Sequence, residues 1–114
     1  MSRRREISMR LFMRVKGEDD AEFRDRVRAR LRLSLSRFVR RVDKVSVRLT
    51  DVNGPKGGMD QECVLTVNLA SGETVVAKAT DRSRDVAVSQ AAERAFRRLR
   101  TLKGARLAAR YDGR

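Results

Sequence analysis

The spacing of apolar residues most constrains the fold of this chain, because it changes between two periods in a fixed order. Within residues 6–15 apolar and polar side chains alternate, which is the pattern of a strand buried on one face. Residues 20–42 instead place an apolar side chain every three or four positions, as an amphipathic helix does. Three more alternating stretches and a second helical stretch follow, at residues 45–50, 63–69, 75–80 and 81–104. The predicted order is therefore β-α-β-β-β-α.

This order predicts an α/β fold of the α+β two-layer sandwich type, with a four-stranded mixed sheet. Each strand has a single apolar face, so both helices should cover the same face of the sheet. The strand-helix-strand start predicts a parallel pair with a right-handed crossover, and the short later connections predict antiparallel neighbours. Thr80 or Asp81 is the expected cap of the last helix, and Gly104 is its expected end. We expect one domain over residues 1–104 and a basic tail over residues 105–114.

Charge is the main indication of function. The chain carries 28 Lys and Arg residues against 15 Asp and Glu, a net charge of +13, and 23 of the 28 cations are arginine. On a helical wheel many of these arginines lie opposite the apolar stripes. One interpretation is a solvated surface that aids solubility, which normally mixes both signs. The acids of the first helix all lie at its N-terminal end, so its C-terminal half is uncompensated, and this favours a polyanion-binding surface.

Several kinds of chemistry are disfavoured. The chain has no histidine, and Cys63 is its single cysteine, which alternation places in the core. Residues 54–58 (GPKGG) lack the Lys-Ser/Thr end and following helix of a phosphate-binding P-loop, although Lys56 remains a candidate phosphate contact. Asp51 and Asp60 are candidate metal ligands without a predicted concave site. We therefore expect no enzyme activity, no metal, no cofactor, no small-molecule substrate and no membrane span.

The aromatic residues bear on the type of nucleic acid. Only Phe12 is expected on an exposed strand face, whereas proteins that bind single strands by stacking need two or three such aromatics. Recognition of a folded RNA through its phosphates is therefore the favoured hypothesis. The exposed sheet face carries further cations, and a second basic patch and ordinary exposed strand positions are equally compatible with them. These cations are Arg10, Arg14, Arg48 and Lys78.

The segment from Val47 to Leu99 resembles the ribosome hibernation promoting factor and ribosome-associated inhibitor family. The resemblance rests on residues 47–60 (VRLTDVNGPKGGMD), the strand at 63–69, Gly72, residues 79–81 (ATD) and the helix around Arg94. It implies the same element order and a cytoplasmic protein that binds the small ribosomal subunit between head and body. There it would contact rRNA and neighbouring ribosomal proteins and block the mRNA and tRNA sites. The chain ends soon after the last helix, so we expect the short, single-domain form and a monomer off the ribosome.

The resemblance implies that basic helix surfaces face rRNA. The residues expected to contact rRNA on and around the helices are Arg26, Arg30, Arg37, Arg40, Arg41, Arg82, Arg84, Arg94, Arg97 and Arg98, and Lys56 of the 54–58 loop is added to them. A general structured-RNA chaperone or ribosome-assembly factor is the alternative, because it would share the same electrostatics. A metal-dependent RNA-processing enzyme that uses Asp51 or Asp60 is the last of the three hypotheses.

Overall fold

The computed structural model describes residues 10–17, 19–52 and 60–112, and only the backbone of residues 103–112. The start of the predicted first strand, the glycine-rich 54–58 segment and Lys56 lie outside the described residues. The helices and strands are β1 (Arg10–Val15), α1 (Ala21–Leu35), a 3₁₀ turn (Ser36–Phe38), β2 (Val42–Asp51), β3 (Gln61–Leu69), β4 (Thr74–Asp81) and α2 (Arg84–Asp112).

The four strands form one sheet in the order β1-β2-β3-β4. β1 runs parallel to β2, and the other two pairs are antiparallel, as the connections predict. Gly72 adopts a φ of 102° in the tight β3–β4 turn, a left-handed conformation that glycine adopts without steric cost. The α+β sandwich with a mixed sheet is therefore confirmed.

Both helices lie on one face of the sheet and contribute to one core. Phe23, Val27, Leu31 and Leu35 of α1 are buried against strand residues such as Val45. The apolar face of α2 is also buried as predicted, and its small alanines permit close packing on the sheet. Burial of the Cys63 thiol raises its pKa to about 12, which keeps it protonated and inert, as expected. The opposite face of the sheet carries no helix among the described residues.

The first helix is shorter than the 20–42 span predicted from its spacing. Asp20 caps it, because its carboxylate accepts a hydrogen bond of 2.8 Å from the Phe23 amide. The helix ends at Leu35, and β2 already begins at Val42, where it pairs with Leu69. The Arg41 carbonyl accepts a 2.7 Å hydrogen bond from the Ala70 amide. Residues near Val42 therefore pair as a strand, although their apolar spacing also fits a helix.

The ends of α2 also differ from prediction. Ser83, rather than Thr80 or Asp81, caps the helix, because its hydroxyl accepts a 3.2 Å hydrogen bond from the Val86 amide. Asp81 instead accepts a bond of 2.9 Å from the Ser83 amide and holds that cap in place. The helix continues through Gly104 to Asp112, so Gly104 is not its end. A helical glycine costs about 1 kcal/mol relative to alanine, and the strong helix formers on both sides offset this. The domain boundary at residue 104 stays a prediction.

Candidate nucleic-acid interface

At the N-terminal ends of α1 and α2, arginines are held by acidic residues. Arg26 donates two hydrogen bonds of 3.1 Å to Asp85, and this pairing raises the pKa of Arg26. Arg24 likewise donates two bonds, of 2.8 and 2.9 Å, to Asp19. A bidentate pair of this kind uses two of the five N–H donors of a guanidinium group and fixes its orientation. We call this region the paired end of the helical layer.

Arg84 is the most deeply held cation of the paired end. Its guanidinium lies 3.9 Å from the centroid of the Phe23 ring, and it also contacts Asp20 at 3.4 Å. Only 19% of its side chain is exposed. These contacts join the start of α2 to the start of α1, so Arg84 contributes to the stability of the fold.

The opposite end of the helical layer is different, and we call it the bare end. Its arginines have no ion-pair partner among the residues that the structure describes. Arg30 belongs to the second half of α1, Arg37 to the 3₁₀ turn, and Arg40 and Arg41 to the turn before β2. Arg30 and Arg37 line a groove beside Leu33, whose surface is 79% exposed. The one acid lining this groove among the described residues is Glu93, which pairs with Arg97. A high local density of uncompensated guanidinium groups is what a polyanion surface requires.

Arg82 has no ion-pair partner in the described part of the chain, but it precedes α2, away from the bare end. Arg97 is exposed and lies 3.7 Å from Glu93, one helical turn away. Such a solvent-exposed pair exchanges readily with water and other anions.

Arg94 and Arg98 contact the sheet. The guanidinium of Arg94 donates to the carbonyl of Lys78, and that of Arg98 donates to the carbonyl of Val76. Arg94 and Arg98 are four residues apart on the helix, a rise of about 6 Å, and Val76 and Lys78 are two residues apart on the strand, about 7 Å. The two distances are similar, so both hydrogen bonds can form at once. The two arginines therefore cover carbonyls of β4, which is an edge strand. Neither contact was predicted from the helical wheel.

Two exposed arginines were missed as site candidates. Arg32 lies in the last turn of α1, and Arg100 places its guanidinium 5.8 Å from the Phe96 ring centroid. Neither has an ion-pair partner within the described ranges. Arg100 lies opposite the apolar face in the sequence pattern, and that position was the available signal. Lys56 lies outside the described residues.

The uncovered face of the sheet presents Phe12, which is 51% exposed, beside basic strand residues. Arg10 pairs with Asp43 at 3.2 Å, and Lys78 lies 3.7 Å from Glu62. Arg14, Lys44 and Arg48 have no ion-pair partner among the described residues. This face therefore combines paired and unpaired cations beside one exposed aromatic ring.

The described residues hold no group of three or more His, Cys, Asp or Glu side chains that could bind a metal ion. Asp51 and Asp60 lie at the ends of β2 and β3, where the Val52 amide donates a 3.0 Å hydrogen bond to the Asp60 carbonyl. No helix in this part of the chain is long and apolar enough to cross a membrane.

Comparison with known proteins places these features in a family. A model of the family described as "Sigma 54 modulation protein / S30EA ribosomal protein" matches residues 15–106. No curated protein sequence gives a significant match. Two similar solved structures are a ribosomal subunit interface protein from Coxiella burnetii and the N-terminal domain of Protein Y from Thermus thermophilus. The first has a TM-score of 0.69 at 17% identity, and the second 0.65 at 15% identity. Each alignment covers 84% of this chain and 99% of the other, so both share the fold described above.

Proposed function

The chain belongs to the sigma 54 modulation protein / S30EA ribosomal protein family, and from this premise we propose that it is a ribosome-binding translation inhibitor. It binds the rRNA of the small subunit in the channel between head and body, without catalysing a reaction. In that position it excludes mRNA and tRNA by occupying their space. It acts in the cytoplasm on idle ribosomes, and neighbouring ribosomal proteins complete its site.

The bare end of the helical layer is the observation that carries this proposal. Arg30, Arg37 and Arg40 are exposed and have no acidic partner in the described residues, so their forks are free for phosphate oxygens. Binding a phosphate releases condensed counterions, which favours association most strongly at low salt. The folded sheet behind them holds these positions in a fixed spacing, which suits a folded RNA better than a flexible one.

Co-sedimentation with purified small subunits tests binding, and occupancy of the tRNA site tests the mechanism. We expect the protein to pellet with subunits and the affinity to fall by several orders of magnitude between about 50 and 200 mM salt. Pre-bound protein should prevent filter retention of labelled tRNA on mRNA-programmed subunits. Simultaneous stable binding of the protein, mRNA and tRNA would contradict steric exclusion.

Comparing the affinity for free RNA hairpins with the affinity for assembled subunits distinguishes the proposed function from the alternative of a structured-RNA chaperone or assembly factor. A chaperone should bind free RNA hairpins as tightly as it binds assembled subunits. We expect a strong preference for the assembled subunit, because the rigid bare end needs phosphates held at a matching spacing.

A further inference from the structure

The uncovered face of the sheet carries a second feature that the proposed function does not use. Phe12 of the edge strand β1 is 51% exposed there, although the other described phenylalanines lie in or against the core. Its ring borders a shallow groove of about 410 Å³ across β1, β2 and β3. The lining residues include Phe12, Arg14, Ser46, Arg48, Val64 and Thr66.

The charges around this groove are unevenly balanced. The two acids that pair with cations of this face lie at its margins: Asp43 with Arg10, and Glu62 with Lys78. The cations nearest Phe12 have no such partner among the described residues. They are Arg14, Lys44 and Arg48.

Arg14 and Arg48 are directly opposite each other in the parallel β1–β2 register. Neighbouring strands lie about 4.8 Å apart, and like charges at such positions destabilise a sheet. An anion bound between the two guanidinium groups removes that repulsion and accepts hydrogen bonds from both forks. A phosphate group therefore fits this position.

Phe12 lies two residues before Arg14, on the same face of the same strand. Side chains with this relation are about 7 Å apart, which is of the order of the separation between a base and the phosphate of its nucleotide. The Lys44 ammonium lies 5.7 Å from the Phe12 centroid, so the ring already accepts a cationic neighbour. The hydroxyl groups of Ser46 and Thr66 lie in the next register positions of the same row and supply donors and acceptors for a base edge.

We propose that this groove binds an unpaired RNA nucleotide, with its base stacked on Phe12 and its phosphate between Arg14 and Arg48. The occupant is one unpaired nucleotide, as in a loop or bulge of a folded RNA, because one aromatic ring stacks a single base and the three unmatched cations suit its phosphates. The site lies on the opposite side of the sheet from the bare end, so the domain contacts RNA on both faces. This extends the proposed function but does not require it.

Binding of a fluorescein-labelled oligouridine of about nine nucleotides, measured by anisotropy, tests the site. We expect Phe12→Leu to weaken binding about tenfold, because it keeps apolar area but removes the stacking ring. Phe12→Tyr keeps the ring and should bind within about twofold of the unchanged protein. Leu33→Ala is the matched control, since it removes another exposed apolar side chain on the helical side of the molecule. Thermal melting verifies that each variant is folded.

Arg14→Gln and Arg48→Gln should each reduce the slope of log affinity against log salt by about 0.7. Arg32→Gln is the control: in its background, Phe12→Leu should weaken oligouridine binding by the same factor as it does in the unchanged protein. Equal oligouridine binding by Phe12→Leu and the unchanged protein overturns this proposal, while subunit binding can persist. If the unchanged protein does not bind small subunits but Phe12→Leu still weakens oligouridine binding, the proposed function is overturned and this proposal stands.

Discussion

The two ends of the helical layer have the same kind of residue in opposite situations. At the paired end, Asp19, Asp20 and Asp85 hold Arg24, Arg84 and Arg26. At the bare end, Arg30, Arg37 and Arg40 are exposed without an ion-pair partner in the described residues. The comparison shows that a net charge of +13 does not describe a uniform basic surface. Some arginines hold the two helices together, and others are free to bind an anion.

The largest expected effect is on binding to the small subunit. It appears when three arginines are replaced at the bare end and the result is compared with replacement of three at the paired end. Arg30→Gln, Arg37→Gln and Arg40→Gln together should weaken binding to the small subunit about 100-fold at physiological salt, because three phosphate contacts are lost. The matched triple variant changes Arg24, Arg26 and Arg28, all of which lie in the first eight residues of α1 and have an acidic partner, to Gln. It should weaken binding only a few-fold, by about one contact at most.

Co-sedimentation at a series of salt concentrations provides the measurement for both triple variants. The bare-end variant should also lose about 2.7 units of salt slope, whereas the paired-end variant should lose less than one. Equal losses would show that only total charge matters and would remove the distinction between the two ends.

The second effect concerns stability, and it should occur at the paired end alone. Arg84→Met keeps an apolar stem over Phe23 but removes the cation–π contact at 3.9 Å and the contact with Asp20. We expect the free energy of unfolding to fall by about 1–2 kcal/mol and Tm to fall by roughly 5–10 °C. Arg30→Met, at an exposed helix position, should change the free energy of unfolding by less than about 0.5 kcal/mol.

Cys63 offers an independent measurement of the same difference. Its thiol is 1% exposed and its pKa is raised to about 12, so thiol reagents reach it mainly when the protein opens. Labelling of Arg84→Met should be faster by about 5- to 30-fold, and labelling of Arg30→Met should be unchanged. If Arg84→Met loses subunit binding without losing stability, Arg84 belongs to the interface instead.

The sequence predicts the sheet, the shared core and the concentration of acids at one end of α1. These follow from periodicity and from the order of residues along the chain. It does not predict that Asp85 meets Arg26, because those residues are 59 positions apart and meet only when α1 packs on α2. It also overextends α1, since the apolar spacing around Val42 suits either a helix or the strand that pairs with Leu69. Tertiary packing and strand pairing decide both cases.

A third prediction concerns arginines of neither end, Arg94 and Arg98, which donate to carbonyls of the edge strand β4. Exposed edges pair readily with other chains, and these side chains must leave before another strand can add. Replacing both by Ala should strengthen self-association about tenfold for each bond removed. Sedimentation velocity over a concentration series measures this, with Arg97→Ala/Arg100→Ala as the control on the same helix. A double Arg94/Arg98 variant that stays as monomeric as the control would contradict the protective role.

The smallest expected effect is a pH dependence at the paired end. The hydrogen bond from Arg24 lowers the pKa of Asp19 from its ordinary value of 3.8, with smaller contributions from the charges of Arg24 and Arg84. A carboxyl whose pKa is lower in the folded state stabilises the fold above the unfolded value, and loses that contribution as the pH falls through the folded value. Asp19→Asn should therefore be less stable than the unchanged protein at about pH 6, and the difference should disappear below the lowered pKa.

Urea unfolding at several pH values measures the stability difference, and NMR titration of the Asp19 carboxyl measures its pKa directly. In Arg24→Gln the Asp19 pKa should return most of the way to 3.8, because the largest cause of its shift is removed. No such change is expected in Arg30→Gln, since Arg30 belongs to the bare end. An Asp19 pKa that stays equally low without Arg24 would mean that the general positive field, rather than a specific pair, holds the carboxylate. The two ends would then differ in geometry alone and not in the way that their charges are held.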